Sequence, residues 1–288
     1  MKDESITVRR LRPLLGTWVE IQATGRPARV ERAVKSAFLH IARVQQRMSF
    51  HAPGSVLSRI NLHAHHTPQP VDAWTWDVLR KARALWLASE GHFDITLGAR
   101  LVERGVLPDH GFATLEAAIG SDALVMWPGR RVGLRRPVLL TLDGIAKGYA
   151  VDLAIQSLQR AGIEQAVVNA GGDLRAFGPH AVPLGIRLAS GAVYRSGSLR
   201  NAAVASSMVG HAPSAQQNFP GCVLHPGDGN WDAAAPRVWT VQAETCWRAD
   251  ALTKVAALSA PARRQALVAR LDGRILQPET ASVQDAAA

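Results

Sequence analysis

The segment VLLTLDGIAKGYAVDLAIQSLQRAGIEQAVVNAGGDLRAFG, residues 138–178, is the most regular part of this 288-residue sequence. It begins with an apolar stretch, Val138–Leu142, that predicts a strand. Apolar residues then recur at helical spacing: Val151, Ala154, Ile155 and Leu158. A second strand is predicted over Ala166–Asn169. Because Asp143-Gly144 and Gly171-Gly172 follow the two strands, the segment predicts a β-α-β-like unit with a glycine turn at each strand exit.

Further helices and short strands are predicted on both sides of this unit. A first strand is expected over 14–22, around Gly16, and an amphipathic helix over 30–47. Ser55 and Asp72 are expected to cap the next two helices. The C-terminal half predicts short strands over 182–188, 202–206, 222–225 and 237–243, helices over 249–258 and 262–271, and a last strand over 274–276. We therefore expect an α+β fold of two interleaved α/β lobes with mixed sheets, forming a single domain over 1–277 and followed by a disordered tail over 278–288.

Composition limits the class of protein. Hydrophobic residues make up 47% of the chain and charged residues 19%, values typical of a folded globular protein. Apolar runs are too short for a membrane span. Only two cysteines occur, and the N-terminus lacks the profile of a secretory signal, so we expect a cytoplasmic protein. The net charge is +10, but the arginines occur as isolated pairs without any nucleic-acid-binding motif, so nucleic acid is not an expected partner.

The turn after the first strand of the 138–178 unit is a candidate phosphate site. Residues 143–148 place free backbone N–H groups and the positive end of a helix dipole beside Lys147. The segment matches neither the P-loop nor the dinucleotide-binding fingerprint. An ordinary helix start with a surface lysine remains the alternative interpretation.

Three other polar groupings each have two interpretations. The turn over 169–173 could let a ligand approach its backbone at the two glycines, or it could be a tight turn in which Asp173 caps its own loop. Asp94 could bind a ligand together with Thr96 or form a local turn with it. Asp250 and Thr253 can face the same side of a helix, which suits a hard cation such as Mg²⁺, although helix capping is also common for such pairs.

Taken together, these motifs resemble the ApbE family of FAD:protein FMN transferases. The resemblance covers roughly residues 10–277 and rests on these segments: LLGTWVEI, RMSFHAPGSVLSRIN, GHFDITLGARLVERGVLP, LDGIAKGYAVDLAIQSLQRAGI, VVNAGGDLRAFG and RADALTK. It implies an enzyme that uses FAD and Mg²⁺ to attach FMN to a Thr or Ser hydroxyl of an acceptor flavoprotein, releasing AMP. Hydrolysis of FAD to FMN and AMP, or flavin-nucleotide binding without turnover, are the alternatives.

The resemblance also assigns site residues. It implies a nucleotide-binding set formed by Leu15, His51, His92, Phe93, Asp94, Thr141, Lys147 and Leu224. The implied metal ligands are the carbonyl of Gly144, Asp250 and Thr253, and the implied catalytic residues are Asp250 and Lys147. Leu15 stands where the family usually has methionine, and His51 where it usually has tyrosine.

This sequence departs from the family pattern at further positions. Many members carry a metal-binding threonine four residues after the aspartate that matches Asp250, and here that position is Lys254. A cation pointing inward there would repel Mg²⁺, unless Thr253 replaces the missing ligand. Cys222 and His225 occupy positions where histidine and aspartate are usual. These changes suggest a divergent branch.

Overall fold

The computed structural model describes residues 5–112, 119–188, 190–209, 223–224 and 237–276. Its helices are α1 (Pro27–Met48), α2 (Val56–His63), α3 (Ala73–Ala88), α4 (Gly98–Glu103), α5 (Ala146–Arg160), α6 (Cys246–Leu258) and α7 (Pro261–Arg270). Its strands are β1 (Ile6–Leu14), β2 (Thr17–Gly25), β3 (Gln69–Pro70), β4 (Leu124–Trp127), β5 (Arg131–Leu134), β6 (Gln165–Ala170), β7 (Asp173–Phe177), β8 (Val182–Arg187), β9 (Val193–Leu199), β10 (Ala202–Val209), β11 (Arg237–Ala243) and β12 (Gly273–Leu276). The predicted tail over 278–288, Cys222 and His225 lie outside the described residues.

A seven-stranded sheet forms the centre of the fold, in the order β1-β2-β6-β7-β10-β11-β12. A three-stranded sheet, β3-β5-β4, and a β8-β9 hairpin accompany it. Every pairing between these named strands is antiparallel. The α+β class expected from the sequence is confirmed, with antiparallel sheets where mixed ones were expected.

Helix α1 shows how the sequence specifies the packing. Pro27 stands in its first turn, where the missing N–H costs no helical hydrogen bond. Its buried side chains recur every three or four residues: Val30, Ala33, Val34, Ala37, Phe38, Ile41, Val44 and Met48. This stripe joins the main hydrophobic core, which α5 and α6 also enter. None of the helices in the described ranges combines the length and the apolar character that a membrane crossing requires.

The two faces of the large sheet pack against different elements. Ala166, Val168 and Ala170 of β6 are buried in the main core with the helices. Val167 points the other way, toward a small cluster that includes Leu184 and Leu199 from the β8-β9 hairpin. This alternation follows from the two-residue period of a strand. The helices that carry the predicted site residues therefore lie on one face.

Two predicted strands take a different form. The stretch over 14–22 is not one strand, because Leu15 and Gly16 turn the chain between β1 and β2 with φ values of 56° and 69°. Val138–Leu142 is also not a sheet strand. It is a buried extended segment whose ladder contact is one parallel bridge between Leu139 and Leu97.

The predicted helix caps are confirmed. The side chain of Ser55 accepts a hydrogen bond from the Ser58 N–H, and Asp72 accepts from the N–H groups of Trp74 and Thr75. These caps fix where α2 and α3 begin.

Candidate active site

A cavity of about 380 Å³ lies where the β1–β2 turn, the end of α1 and the start of α5 meet. Its size falls in the range of small-molecule sites. It is lined by Leu15, Gly16, Val44, Gln45, Met48, Ser49, His51, Asp143, Ala146 and Lys147. Three residues that the resemblance assigns to the nucleotide, Leu15, His51 and Lys147, therefore share one cavity.

The β1–β2 turn is held against α1 by one polar contact. The backbone N–H of Leu15 donates to Oε1 of Gln45 at 2.7 Å. Leucine is unusual with a positive φ, since the left-handed region crowds its Cβ. The turn thus holds Leu15 in a strained backbone conformation that places its apolar side chain on the wall of the cavity.

The first charged pair of the site joins α5 to the β6–β7 turn. Lys147 Nζ lies 3.1 Å from Oδ2 of Asp173, whose residue is 1% exposed. The charge of Asp173 raises the pKa of Lys147, against the opposing effect of burial. Burial, with the nearby charge of Asp250, raises the pKa of Asp173. Lys147 is therefore held cationic by a buried carboxylate.

Asp173 does not cap its own loop, which was the local alternative. Asn169 closes the β6–β7 turn instead, accepting a hydrogen bond from the Gly172 N–H at 2.9 Å. The Asp173 side chain is thereby left to face Lys147. Asp173 is a site residue that the sequence interpretation did not assign.

The second charged pair lies within α6. Lys254 Nζ contacts Oδ1 of Asp250 and lies 3.0 Å from the backbone oxygen of the same residue. Oδ2 of Asp250 accepts a hydrogen bond from the Gly148 N–H, in the first turn of α5, at 3.2 Å. Asp250 is 1% exposed. Both of its carboxylate oxygens thus have partners from this chain.

The other two assigned metal ligands lie close to this pair. A Cβ on Gly144 would come within 3.4 Å of both the Phe93 ring and Cε of Lys254. The hydroxyl of Thr253 donates to the Asp250 backbone oxygen at 2.7 Å and lies 2.7 Å from the Ser207 hydroxyl. Gly144, Asp250 and Thr253 are therefore brought into one region, with the Lys254 side chain running through it.

The donor set does not fit a divalent cation as it stands. Mg²⁺ requires oxygen ligands in near-octahedral order, and the Asp250 oxygens are contacted by an ammonium group. Two unit charges of the same sign at 4 Å repel by on the order of 4 kcal/mol at an effective dielectric constant of 20, and a dication doubles this. Nor do the described residues contain any group of three or more His, Cys, Asp or Glu side chains arranged to hold a metal ion.

The remaining assigned residues support the loop beside the cavity. Asp94 accepts hydrogen bonds from the N–H and hydroxyl of Thr96 at 2.8 and 2.7 Å and from the Ser121 hydroxyl at 2.8 Å. The Thr96 contacts are those of a local turn, whereas the Ser121 contact joins this turn to the segment that begins at Gly120. His92 Nδ1 lies 2.7 Å from the Ser89 backbone oxygen. The 92–96 segment is thus held by contacts within itself and with residues 120–121.

Three more assigned residues sit in buried positions. Thr141 donates its backbone N–H to the Ile95 oxygen at 2.7 Å, which joins the 92–96 loop to the start of the α5 turn. Leu224 is 2% exposed and belongs to the main core. Phe93, also buried, packs beside Gly144.

The fold matches that of flavin transferases. Over 92% of this chain and 90% of the other, it superposes on the flavin transferase ApbE from Vibrio cholerae with a TM-score of 0.76 and 23% identity. The superposition on the flavinyl transferase ApbE from Pseudomonas stutzeri covers 93% of this chain and 89% of the other, with a TM-score of 0.77 and 21% identity. The architecture is therefore that of an ApbE-type flavin transferase.

The sequence gives the family directly. The model of the ApbE family matches residues 15–276, and the chain belongs to this family. A FAD:protein FMN transferase from Rhodobacter capsulatus is 32% identical in an alignment 182 residues long that covers 58% of this chain and 34% of that relative. One from Vibrio cholerae serotype O1 is 29% identical over 178 residues, 58% of this chain and 53% of the relative. These alignments span between a third and about half of the relatives' length.

Proposed function

We propose that this protein transfers FMN from FAD to a Thr or Ser hydroxyl of an acceptor flavoprotein and releases AMP. The single observation that carries the proposal is the cavity bounded by Leu15, His51 and Lys147, with the Lys147–Asp173 and Lys254–Asp250 pairs at the start of α5. Family membership and the names of the curated relatives support the same activity.

The reaction replaces the phosphoanhydride bond between the FMN and AMP halves of FAD with a phosphoester bond to the acceptor. The acceptor hydroxyl oxygen forms a bond to the FMN phosphorus of FAD, and the bond from that phosphorus to the bridging oxygen breaks. AMP leaves with the bridging oxygen, and the hydroxyl proton is released to solvent. Positioning and charge neutralisation supply most of the catalysis in such transfers.

The residues of this chain act on FAD in two ways, by neutralising charge and by contacting the nucleotide. Lys147, kept cationic by Asp173, binds a phosphate oxygen of the pyrophosphate and neutralises charge that develops on the leaving group. His51 stacks on the nucleotide, and Leu15 contacts it through the apolar wall. His92, Asp94 and Thr141 hold the neighbouring 92–96 loop in place. Phe93 packs beside Gly144, and Leu224 lies in the main core.

The Mg²⁺ requirement that the resemblance implies is not part of the proposed function. No step is assigned to the metal, because the oxygens of Asp250 that would bind it are contacted by Lys254. The assignment of Gly144, Asp250 and Thr253 as metal ligands, and of Asp250 as catalytic, likewise rests on the resemblance alone.

The test measures AMP and covalent flavin in the same reaction. Purified protein is incubated with FAD and Mg²⁺, with and without a threonine-bearing flavoprotein domain, and a version of that domain whose target threonine is alanine serves as control. AMP formed only with the intact acceptor, together with a gain of one FMN less one water in acceptor mass, is the expected result.

The alternatives give different products. AMP and free FMN without acceptor would identify a FAD pyrophosphatase, and FAD binding without AMP would identify a binding protein. Lys147→Met should lower AMP formation at least tenfold under either enzyme activity. Lys35→Met, which removes an exposed lysine outside this cavity, is the matched control.

A further inference from the structure

Lys254 places its ammonium group where the resemblance expects a metal ion to meet Asp250. Nζ contacts the carboxylate and lies 3.0 Å from the backbone oxygen, so one cation contacts two oxygens of the same residue. An ordinary i,i+4 ion pair on a helix surface would leave both partners in solvent. Here the Asp250 side chain is 1% exposed and that of Lys254 is 18% exposed.

The path of the Lys254 side chain also brings its ammonium group to the position expected for the metal. Its methylene groups run past Gly144, where a Cβ would lie 3.4 Å from Cε and 3.8 Å from Cδ. The side chain therefore points from α6 toward the turn that begins α5, and away from bulk solvent. It ends between two of the residues assigned to the metal.

Each of the two lysines beside Asp250 already pairs with a carboxylate. Lys254 pairs with Asp250 and Lys147 with Asp173, and Asp143 on the cavity wall is a third carboxylate near them. The second oxygen of Asp250 is taken by the Gly148 N–H, and the Thr253 hydroxyl is engaged with the Asp250 backbone oxygen and Ser207. A dication added here would face an ammonium group across the same carboxylate.

We infer that Lys254 replaces the divalent cation in this protein, so that FMN transfer proceeds without a metal bound at Asp250. This inference rests on the proposed function for its catalytic part. Lys254 and Lys147 then provide the two positive charges that meet the pyrophosphate of FAD. Asp250 is a positioning residue that holds Lys254, and it need not be a metal ligand.

Metal binding is measured first, without FAD, because it does not depend on turnover. Mn²⁺ serves as the paramagnetic probe, and free Mn²⁺ is quantified by electron paramagnetic resonance during titration of the full chain. We expect no stoichiometric site in the wild-type protein and one site in Lys254→Thr, which removes the ammonium and adds a ligand oxygen. One Mn²⁺ bound per wild-type chain, with the affinity unchanged in Lys254→Thr, would overturn the inference.

Activity provides the second measurement. Transfer of FMN by the wild-type protein should be the same within twofold in excess EDTA and in Mg²⁺, whereas Lys254→Met should lose at least tenfold in both. Lys35→Met should match the wild type in both conditions. Transfer that EDTA abolishes and Mg²⁺ restores would refute metal independence even if the variants do not fold.

The two proposals fail in different ways. If no AMP forms under any condition, the proposed function fails, and the Mn²⁺ titration of the wild-type protein still decides whether Lys254 excludes a metal. If AMP and flavinylated acceptor form only with Mg²⁺, the proposed function stands and the role of Lys254 is wrong.

Discussion

Asp152 on α5 and Asp250 on α6 each accept backbone hydrogen bonds from the N-terminal turn of the other's helix. Asp152 accepts from the N–H groups of Cys246 and Trp247 at 2.9 and 2.8 Å, and Asp250 accepts from Gly148 at 3.2 Å. Neither helix has a side-chain cap of its own at its N-cap residue. The two buried carboxylates therefore satisfy helix N–H groups that would otherwise be unpaired, and they fix α5 and α6 against each other.

Removal of Asp152 should destabilise the whole domain. Asp152→Ala leaves two N–H groups of α6 without an acceptor and separates Arg175, 2.6 Å away, from its partner. Burial raises the pKa of Asp152, so part of the interaction is offset by desolvation. We expect a loss of about 3 kcal/mol in the free energy of unfolding, measured by urea titration.

An exposed ion pair provides the control for this loss. Asp122 pairs with Arg136 at 2.7 Å, but its side chain is 51% exposed. Asp122→Ala should therefore cost less than about 1 kcal/mol. Equal losses in the two variants would show that the helix-capping role of Asp152 is wrong.

Gly148 is required where α5 crosses α6. A Cβ at this position would lie 2.3 Å from the backbone oxygen of Cys246, and backbone cannot move aside as a flexible side chain can. In an open helix, glycine to alanine stabilises by about 1 kcal/mol, but here we expect Gly148→Ala to destabilise by about 2 kcal/mol or more. Urea unfolding measures this loss, and Gly54→Ala, in the turn before α2 where a Cβ meets no atom within 4 Å, is the control without a steric clash. A gain in stability for Gly148→Ala would contradict the steric argument.

The sequence predicts the helices better than the strand boundaries. The 3.6-residue stripe of α1 and the caps at Ser55 and Asp72 are local signals, and each is present in the fold. The β1–β2 turn is not predictable in this way, because position 15 carries leucine where such a turn usually carries asparagine or glycine. Val138–Leu142 has a strand-like composition because it is fully buried, although it joins no sheet.

The candidate site is predictable only where its contacts are local. The i,i+4 relation of Asp250 and Lys254 follows from helix geometry, and the sequence already places the Lys147 turn at a helix start. Asp173 and Gln45 could not be assigned, since their partners Lys147 and Leu15 come from other elements brought together by packing. Contacts between residues of different elements are identified only from the tertiary structure.

The Lys147–Asp173 pair predicts an acid limit on FMN transfer. Burial, together with the charge of Asp250, raises the pKa of Asp173, so this carboxylate takes up a proton at a higher pH than the ordinary aspartate value of about 3.9. Lys147 then loses its partner. We expect kcat/KM for FAD to be constant above the raised pKa and to fall as the pH drops through it, as measured by AMP release across the mildly acidic range.

Asp173→Asn tests whether this carboxylate causes the acid limit. The asparagine side chain carries no charge at any pH, so kcat/KM of the variant should be low and should not fall further as the pH drops through this range. An unchanged fall would assign the acid limit to another group.

The stability contribution of Asp173 should depend on pH in the opposite direction. Because the folded-state pKa is raised, the contribution of Asp173 to the free energy of unfolding is greatest at low pH and is lost as the pH rises through that value.

Replacement of Leu15 should raise the stability of the protein and weaken its binding of FAD. Its φ of 56° costs a leucine about 1–2 kcal/mol, and asparagine tolerates this conformation, particularly in a two-residue hairpin turn before glycine. Leu15→Asn should therefore raise the free energy of unfolding by about 1 kcal/mol while weakening FAD binding, since the apolar wall of the cavity is lost. Urea titration and quenching of flavin fluorescence measure the two quantities. The inverse change is Asn201→Leu, at a φ of 48° in a turn away from the cavity, and it should lower stability without affecting FAD. Part of that loss comes from the hydrogen bond that Asn201 Oδ1 accepts from the Gly178 N–H at 3.0 Å. FAD binding by Leu15→Asn as tight as that of the wild type would remove Leu15 from the site.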